Sequence, residues 1–163
     1  MVGRIDEIDA RILTLLEADG RSPAARIADE VGLSRPAVAE RISKLEDAGV
    51  ILGVAAVVDP AARGLEITAF ISAKSSEQPT GKREGSLRDF LERDEILEAH
   101  KIAGEDCYLF KVRTDSIGSL NSLVNELSSS PLRMVTRTTI VMETFCEKTG
   151  RIDRGRASHA RRG

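Results

Sequence analysis

Between Ser22 and Gly49 the chain reads SPAARIADEVGLSRPAVAERISKLEDAG, a stretch that leaves room for two short helices and a tight turn and for little else. Ser22-Pro23 is a helix start, because a serine oxygen accepts an orphan N–H and proline fits a first turn that needs no amide donor. Ala24, Ile27, Ala28 and Val31 follow helical spacing, and Gly32 falls where a left-handed C-terminal residue belongs. Ser34 caps a second helix with Pro36 in its first turn; Val38, Ile42 and Leu45 form its buried stripe, and Gly49 closes it. Arg35, Ala37, Glu40, Arg41 and Lys44 point away from that stripe. A preceding helix, Asp6 to Asp19, capped by Asp6 and ended by Gly20, aligns Ile5, Ile8, Ile12, Leu15 and Leu16 on one face. Three such helices match a helix-turn-helix whose second paired helix lies in a DNA major groove, although a helical hairpin buried in another α-rich domain has the same spacing.

Beyond Gly49 the periodicity changes. VILGVAAVV, residues 50–58, is too short for an independent helix and rich in β-branched residues, so it reads as a strand ended by Asp59-Pro60. Ile67 to Ala73 is a second strand, 74–84 a polar loop, and Ser86 to Arg93 a helix with Leu87, Phe90 and Leu91 inward. Ile96 to Ala103 and Cys107 to Arg113 are strands around a turn at Gly104. Asp115 caps a helix carrying Leu120, Leu123, Val124 and Leu127, and Met134 to Phe145 is the last strand. From Leu65 onward this order is β-α-β-β-α-β, the ferredoxin-like arrangement. On the last strand Met134, Thr136, Thr138, Ile140 and Met142 share one side and Val135, Arg137, Thr139, Val141 and Phe145 the other. Both sides are largely apolar, which calls for cover on both faces and so for a second subunit. The fold class is therefore α+β: an N-terminal winged-type helix-turn-helix domain (1–50), a linker strand (51–64), a ferredoxin-like domain (65–148) and a basic, disordered tail (149–163).

Ile5-Asp6-Glu7-Ile8-Asp9, Ile12-Leu13, Ala18-Asp19-Gly20-Arg21, Val31-Gly32-Leu33-Ser34, Arg41-Ile42, Leu45-Glu46 and Gly49-Val50-Ile51 together resemble the N-terminal signature of the Lrp/AsnC, or feast/famine, transcription regulators. The resemblance runs to about Lys148 and rests on many residues in one order. It implies that 50–58 pairs with its equivalent in a second subunit and that the ferredoxin-like module binds an amino acid. The turn Gly104-Glu105-Asp106-Cys107-Tyr108 is similar to the family's Gly-x-x-Asp-Tyr effector loop, but Cys107 stands where the acid is expected. Glu105 and Asp106 precede it, and a strand residue displaced by one faces the other side. Thr136 and Thr138 have counterparts near the family's pocket; as ordinary sheet threonines they would look the same. The implied regulator takes no cofactor beyond a free amino-acid effector. It binds a pseudo-palindromic double-stranded operator as a homodimer that assembles to a tetramer or octamer.

Charge and cysteine content bound this reading. The net charge is −2, and residues 1–60 hold seven Lys/Arg against eleven Asp/Glu, so any DNA face must be local. Arg21, Arg26, Arg35, Arg41 and Lys44 supply it if they gather on one side. Arg35 and Arg41 are the candidates for base or backbone contact, Lys44 for phosphate, Pro36 and Ala37 for thymine methyls, with Ser34 as cap and Glu40 beside them. Arg41 as a mere solvated charge is the plain alternative. Cys107 and Cys146 are too few and too far apart for a disulfide framework or zinc cluster, which favours a reducing, cytoplasmic setting; no stretch is long and apolar enough to cross a membrane. Two further classes compete: a small ferredoxin-like enzyme using Cys107, His100 and Asp106, and an interaction module that does not bind DNA. Neither a Gly-rich phosphate loop nor an HExxH zinc motif supports the enzyme.

Overall fold

A computed structural model of the chain describes residues 5–75, 81–129, 131–149 and 152–153. The chain divides into two compact units, Met1–Val57 with Phe145–Gly163, and Val58–Thr144.

The first unit contains α1 (Glu7–Ala18), α2 (Ala24–Val31) and α3 (Arg35–Asp47). Asp6 caps α1 in a reciprocal box, its carboxylate accepting from the Asp9 N–H at 2.7 Å while Asp9 accepts from the Asp6 N–H at 3.3 Å. The start of α2 differs from expectation. Pro23 is its N-cap, accepting from the Ile27 N–H with its carbonyl, and Ser22 lies one residue too far out to cap. Gly32, at φ 70°, ends α2 in the left-handed region that glycine alone enters without steric cost. Ser34 caps α3 through the Ala37 N–H, with Pro36 in the first turn. At the far end Val50 N–H donates to Leu45 C=O and Gly49 N–H to Glu46 C=O, the paired bonds of a Schellman stop. Ile12, Ile27, Ala28 and Val38 are the buried centre, with Ile8, Leu15, Leu16, Val31 and Ile42 packed around them.

Residues 50–58 form no strand within this chain. A strand requires a hydrogen-bonded neighbour, and the four-stranded sheet that does form takes its members from elsewhere. Leu52 and Val54 are left 94% and 62% exposed.

The second unit holds β1 (Ile67–Lys74), α4 (Lys82–Leu91), β2 (Ile96–Lys101), β3 (Tyr108–Thr114), α5 (Ile117–Ser128) and β4 (Val135–Ile140), with strand order β2-β3-β1-β4, every pair antiparallel. This is the ferredoxin-like order. On the helix side, Ala69, Ile71 and Ala73 of β1 and Phe110 and Val112 of β3 pack against Phe90, Leu120, Leu123 and Leu127. Small residues on the central strand admit Phe90 edge-on to Phe110, at 5.5 Å between rings and 76° between planes.

Several features depart from the sequence reading. Helix α4 starts at Lys82, inside the expected loop, because the Arg83 guanidinium donates to Ser75 Oγ and to the Leu132 carbonyl and so fixes the first turn. Leu91, expected inward, is 40% exposed. Ser116, not Asp115, caps α5, its hydroxyl accepting from the Ser119 N–H. The last strand stops at Ile140 rather than Phe145. Its only neighbour, β1, begins at Ile67, and after Val141 N–H donates to Thr68 C=O no backbone partner is left. In the expected tail, β5 (Lys148–Thr149) pairs with β6 (Ile152–Asp153), and residues 150–151 and 154–163 lie outside the described residues.

Leu123 is fully buried at the centre of the helix–sheet core. Leu123→Ala is expected to destabilise the second unit by about 2–5 kcal/mol, a transfer cost plus a cavity cost, measurable as a lowered denaturation midpoint followed by far-UV circular dichroism.

Candidate functional site

The helix-turn-helix buries one side of α3 and leaves the other bare. Val38 and Leu45 point inward at 0% and 6% exposure, and the exposed surface carries Arg35, Pro36, Ala39, Glu40, Ser43 and Lys44. Ala37 is half-buried and Ser34 is committed as cap. Glu40 and Lys44 pair at 2.7 Å one turn apart, largely in solvent, which holds the Glu40 carboxyl below its ordinary range through the Lys44 hydrogen bond. Arg21 is exposed just after α1, where its N–H donates to the Asp19 carboxylate.

Arg41 departs from its expected place. Instead of leaving the buried side for solvent, its guanidinium turns to α1, and one nitrogen lies 2.7 Å from Asp6 Oδ2 and 2.7 Å from Asp9 Oδ1. The cause is angular: position 41 lies on the flank of the Val38–Leu45 stripe, and a long side chain there reaches the neighbouring helix. The two aspartates raise the Arg41 pKa, while the Asp9 N–H and then the Arg41 guanidinium lower that of Asp6. Sequence reading missed these partners because it took Asp6 for a cap and gave Asp9 no role; the signal, two acids three apart on the first turn of α1, was present.

The effector residues do not converge in the single chain. Gly104 turns between β2 and β3 at φ 142°, exposed, and Glu105 is exposed beside it. Asp106 faces Arg137 of β4, 3.8 Å away, on the side of the sheet without helices. Cys107 ties the turn to the end of β1: its N–H donates to Ala73 C=O, and its thiol lies 3.8 Å from Ser75 C=O. The Tyr108 ring stacks near-parallel on Phe110 at 6.2 Å, toward the helices. Thr136, whose hydroxyl lies 3.3 Å from Ser128 Oγ, and Thr138 share that helix side. Asp106 and the two threonines are therefore on opposite sides of β4. A cleft of about 200 Å³ between α4 and the end of α5 is lined by Ser86, Asp89, Glu126, Ser129, Pro131 and Leu132, none of them predicted for the effector.

The catalytic grouping is not assembled. His100 Nε2 lies 3.3 Å from Glu98, which also meets Lys111 at 3.2 Å, and Cys107 meets a carbonyl rather than a base. The hydrogen bond from His100, and then that from Lys111, lower the Glu98 pKa. Among the described residues no helix is long and apolar enough to cross a membrane.

A capped helix-turn-helix joined in one chain to a ferredoxin-like module defines a DNA-binding transcription regulator that responds to a small-molecule effector. The comparisons agree: residues 5–46 match the AsnC-type helix-turn-helix domain and residues 68–150 the Lrp/AsnC ligand binding domain. The chain belongs to the Lrp/AsnC family of transcription regulators. It is 35% identical over 145 residues to the HTH-type transcriptional regulator FL11 of Pyrococcus abyssi, covering 89% of this chain and 94% of that one. It is 36% identical over 148 residues to the proline dehydrogenase transcriptional activator of Rhizobium radiobacter, covering 88% and 92%. A solved feast or famine regulatory protein from M. tuberculosis, complexed with L-methionine, superposes with TM-score 0.79 at 29% identity, over 90% of this chain and 97% of that one. These relatives are regulators, and the chain is not an enzyme.

The lowered pKa of Asp6 carries a sign. A carboxyl easier to ionise when folded contributes stability that is complete above its unfolded value of 3.8 and is lost as pH falls through the lower folded value. In thermal melts from neutral to acid pH, the gap between the wild type and Asp6→Asn is expected to hold constant down to about pH 4 and to narrow below it.

Proposed function

We propose that the chain is a sequence-specific regulator that reads a pseudo-palindromic duplex with α3 and whose assembly or DNA binding responds to a free amino acid held at the Gly104 turn. The observation that carries the DNA half is the bare outer face of a rigidly capped α3. Arg35 is the candidate for base or backbone contact, Lys44 and Arg21 for phosphate, Pro36 and Ala37 for methyl groups, with Ser34 holding the helix start and Glu40 orienting Lys44. Arg41 leaves this set, since both aspartates already hold it.

Self-association is supported by apolar surface on the segment 50–58 and on the sheet side without helices, where Phe70 and Val135 are 37% and 75% exposed. Two copies related by a twofold axis present two α3 helices to successive major grooves, which sets half-sites about one helical turn, or a multiple of it, apart. Dimer, tetramer and octamer all satisfy that condition. Amino-acid chemistry is supported by the L-methionine complex of the M. tuberculosis neighbour. Gly104 lets main chain approach a small zwitterion closely, and Glu105 or Asp106 can meet its ammonium.

Lys44→Ala is expected to weaken binding to a duplex selected by the wild type and to reduce the slope of log affinity against log salt by about 0.9, one phosphate contact; gel shifts at several salt concentrations measure both. An unchanged slope and affinity would remove Lys44 from the interface.

Calorimetry of the wild type against the twenty amino acids should give at least one binder, and the same compound should alter the oligomer distribution or the affinity for the selected duplex. Gly104→Val, forced into a φ that a branched residue avoids, should lose that binding and keep ligand-free DNA binding. If no amino acid binds, the effector half of the proposal fails and the DNA half is untouched.

A further inference from the structure

We propose that Asp6 and Asp9 of α1 set, through Arg41, the pose in which α3 meets DNA, so that Arg41 is a positioning residue rather than a DNA contact. The proposal rests on α3 being the helix that enters the groove.

Three observations lead there. The inner stripe of α3, Val38, Ile42 and Leu45, is apolar. Burial of this kind is non-directional, and it resists a large roll, which would expose the stripe, more strongly than a small one. Side-chain tips ride about 5 Å from a helix axis, so a roll of about 15° moves them by about 1 Å, enough to spoil bidentate readout of a base edge. A charged hydrogen bond, by contrast, is directional. Arg41 makes two of them, both at 2.7 Å, to residues 35 and 32 positions away in sequence.

Secondly, the anchor is itself rigid. Asp6 and Asp9 are locked to each other's backbone N–H groups by the capping box, so the carboxylates cannot follow α3 if it rolls. The Asp9 side chain is 16% exposed, that of Arg41 30% and that of Asp6 50%, so the Asp9 contact is the more sheltered of the two.

Thirdly, release of Arg41 toward a phosphate is disfavoured at the aspartates. It would leave Asp6 and Asp9 as adjacent anions with the Asp9 side chain only 16% exposed.

The test uses the full-length chain, a duplex selected by the wild type from a random pool, and a scrambled duplex of equal length. Affinities are measured over a salt series at a temperature where circular dichroism shows each variant folded. Asp9→Asn removes no cation, and it is expected to weaken binding to the selected duplex roughly tenfold, toward the lower end of what one bidentate base contact is worth, with the scrambled duplex bound no more weakly and the salt slope unchanged. Arg41→Lys keeps the charge but is shorter and loses the fixed in-plane direction of the two N–H bonds on the nitrogen that meets both aspartates, and it should lose selectivity similarly. The charge exchange Asp9→Arg with Arg41→Asp should recover most of the selectivity. Direct contact predicts the reverse: Asp9→Asn binds the selected duplex as well as or better than the wild type, and Arg41→Ala lowers the salt slope by about 0.9. Any of these overturns the proposal. So does unchanged binding by both Arg35→Ala and Lys44→Ala, which would take α3 itself off the DNA and distinguish failure of the parent reading from failure of the positioning role.

Discussion

A helix that must present one whole face to another molecule can be held only from behind, and that constraint shapes the first unit. The rear of α3 offers a narrow row, in which Val38 and Ile42 pack with Ile12, Ile27 and Ala28 and Leu45 is buried one turn further on. A core this small gives modest stability, and its contacts slide at little cost. Definition comes from the ends and the flank: the Ser34 cap, the Schellman stop at Gly49, and Arg41 clasped between two aspartates. Each is polar and directional, and none occupies the outer face. The acidic surplus of residues 1–60 is compatible with DNA binding for the same reason, since part of the negative charge is consumed behind α3 while Arg35 and Lys44 stay in front.

The second unit meets the opposite problem. Its sheet buries one side under α4 and α5, where alanines at 69 and 73 make room for Phe90, Phe110 and the leucines of α5. The other side is mixed: Phe70 lies next to Lys111 and Thr139 across the strands, Lys111 pairs with Glu98, and Arg113 donates to Thr68 Oγ1 at 3.1 Å. The charged groups there are partnered within the chain, which lowers the cost of covering them.

The sequence was legible where geometry is set by neighbours a few residues away. Gly32, Ser34, Pro36 and Gly49 act as local chemistry requires, and the β-α-β-β-α-β succession followed from the changes of apolar period along the chain. It was least legible where a distant partner decides. Helix α4 begins early because Leu132, 49 residues on from Arg83, offers a carbonyl, and β4 ends early because β1 does. Residues 50–58 have the composition of a strand and no neighbour to make them one. At the candidate sites the same distinction holds. The outer face of α3 was readable from a 100° period, but the turn of Arg41 toward Asp6 and Asp9, and of Asp106 toward Arg137, depends on which helix or strand lies alongside. The shift of an acid from position 107 to 106 was visible as a departure; that it selects the opposite side of β4 from Thr136 needed the fold.

The separation of the two sites also limits how an effector can act. Ser34 to Lys44 and Gly104 to Tyr108 belong to different units. A small molecule shifts an equilibrium only by binding one state better than another, and the coupling is reciprocal: DNA must change the affinity for the effector by the same factor that the effector changes the affinity for DNA.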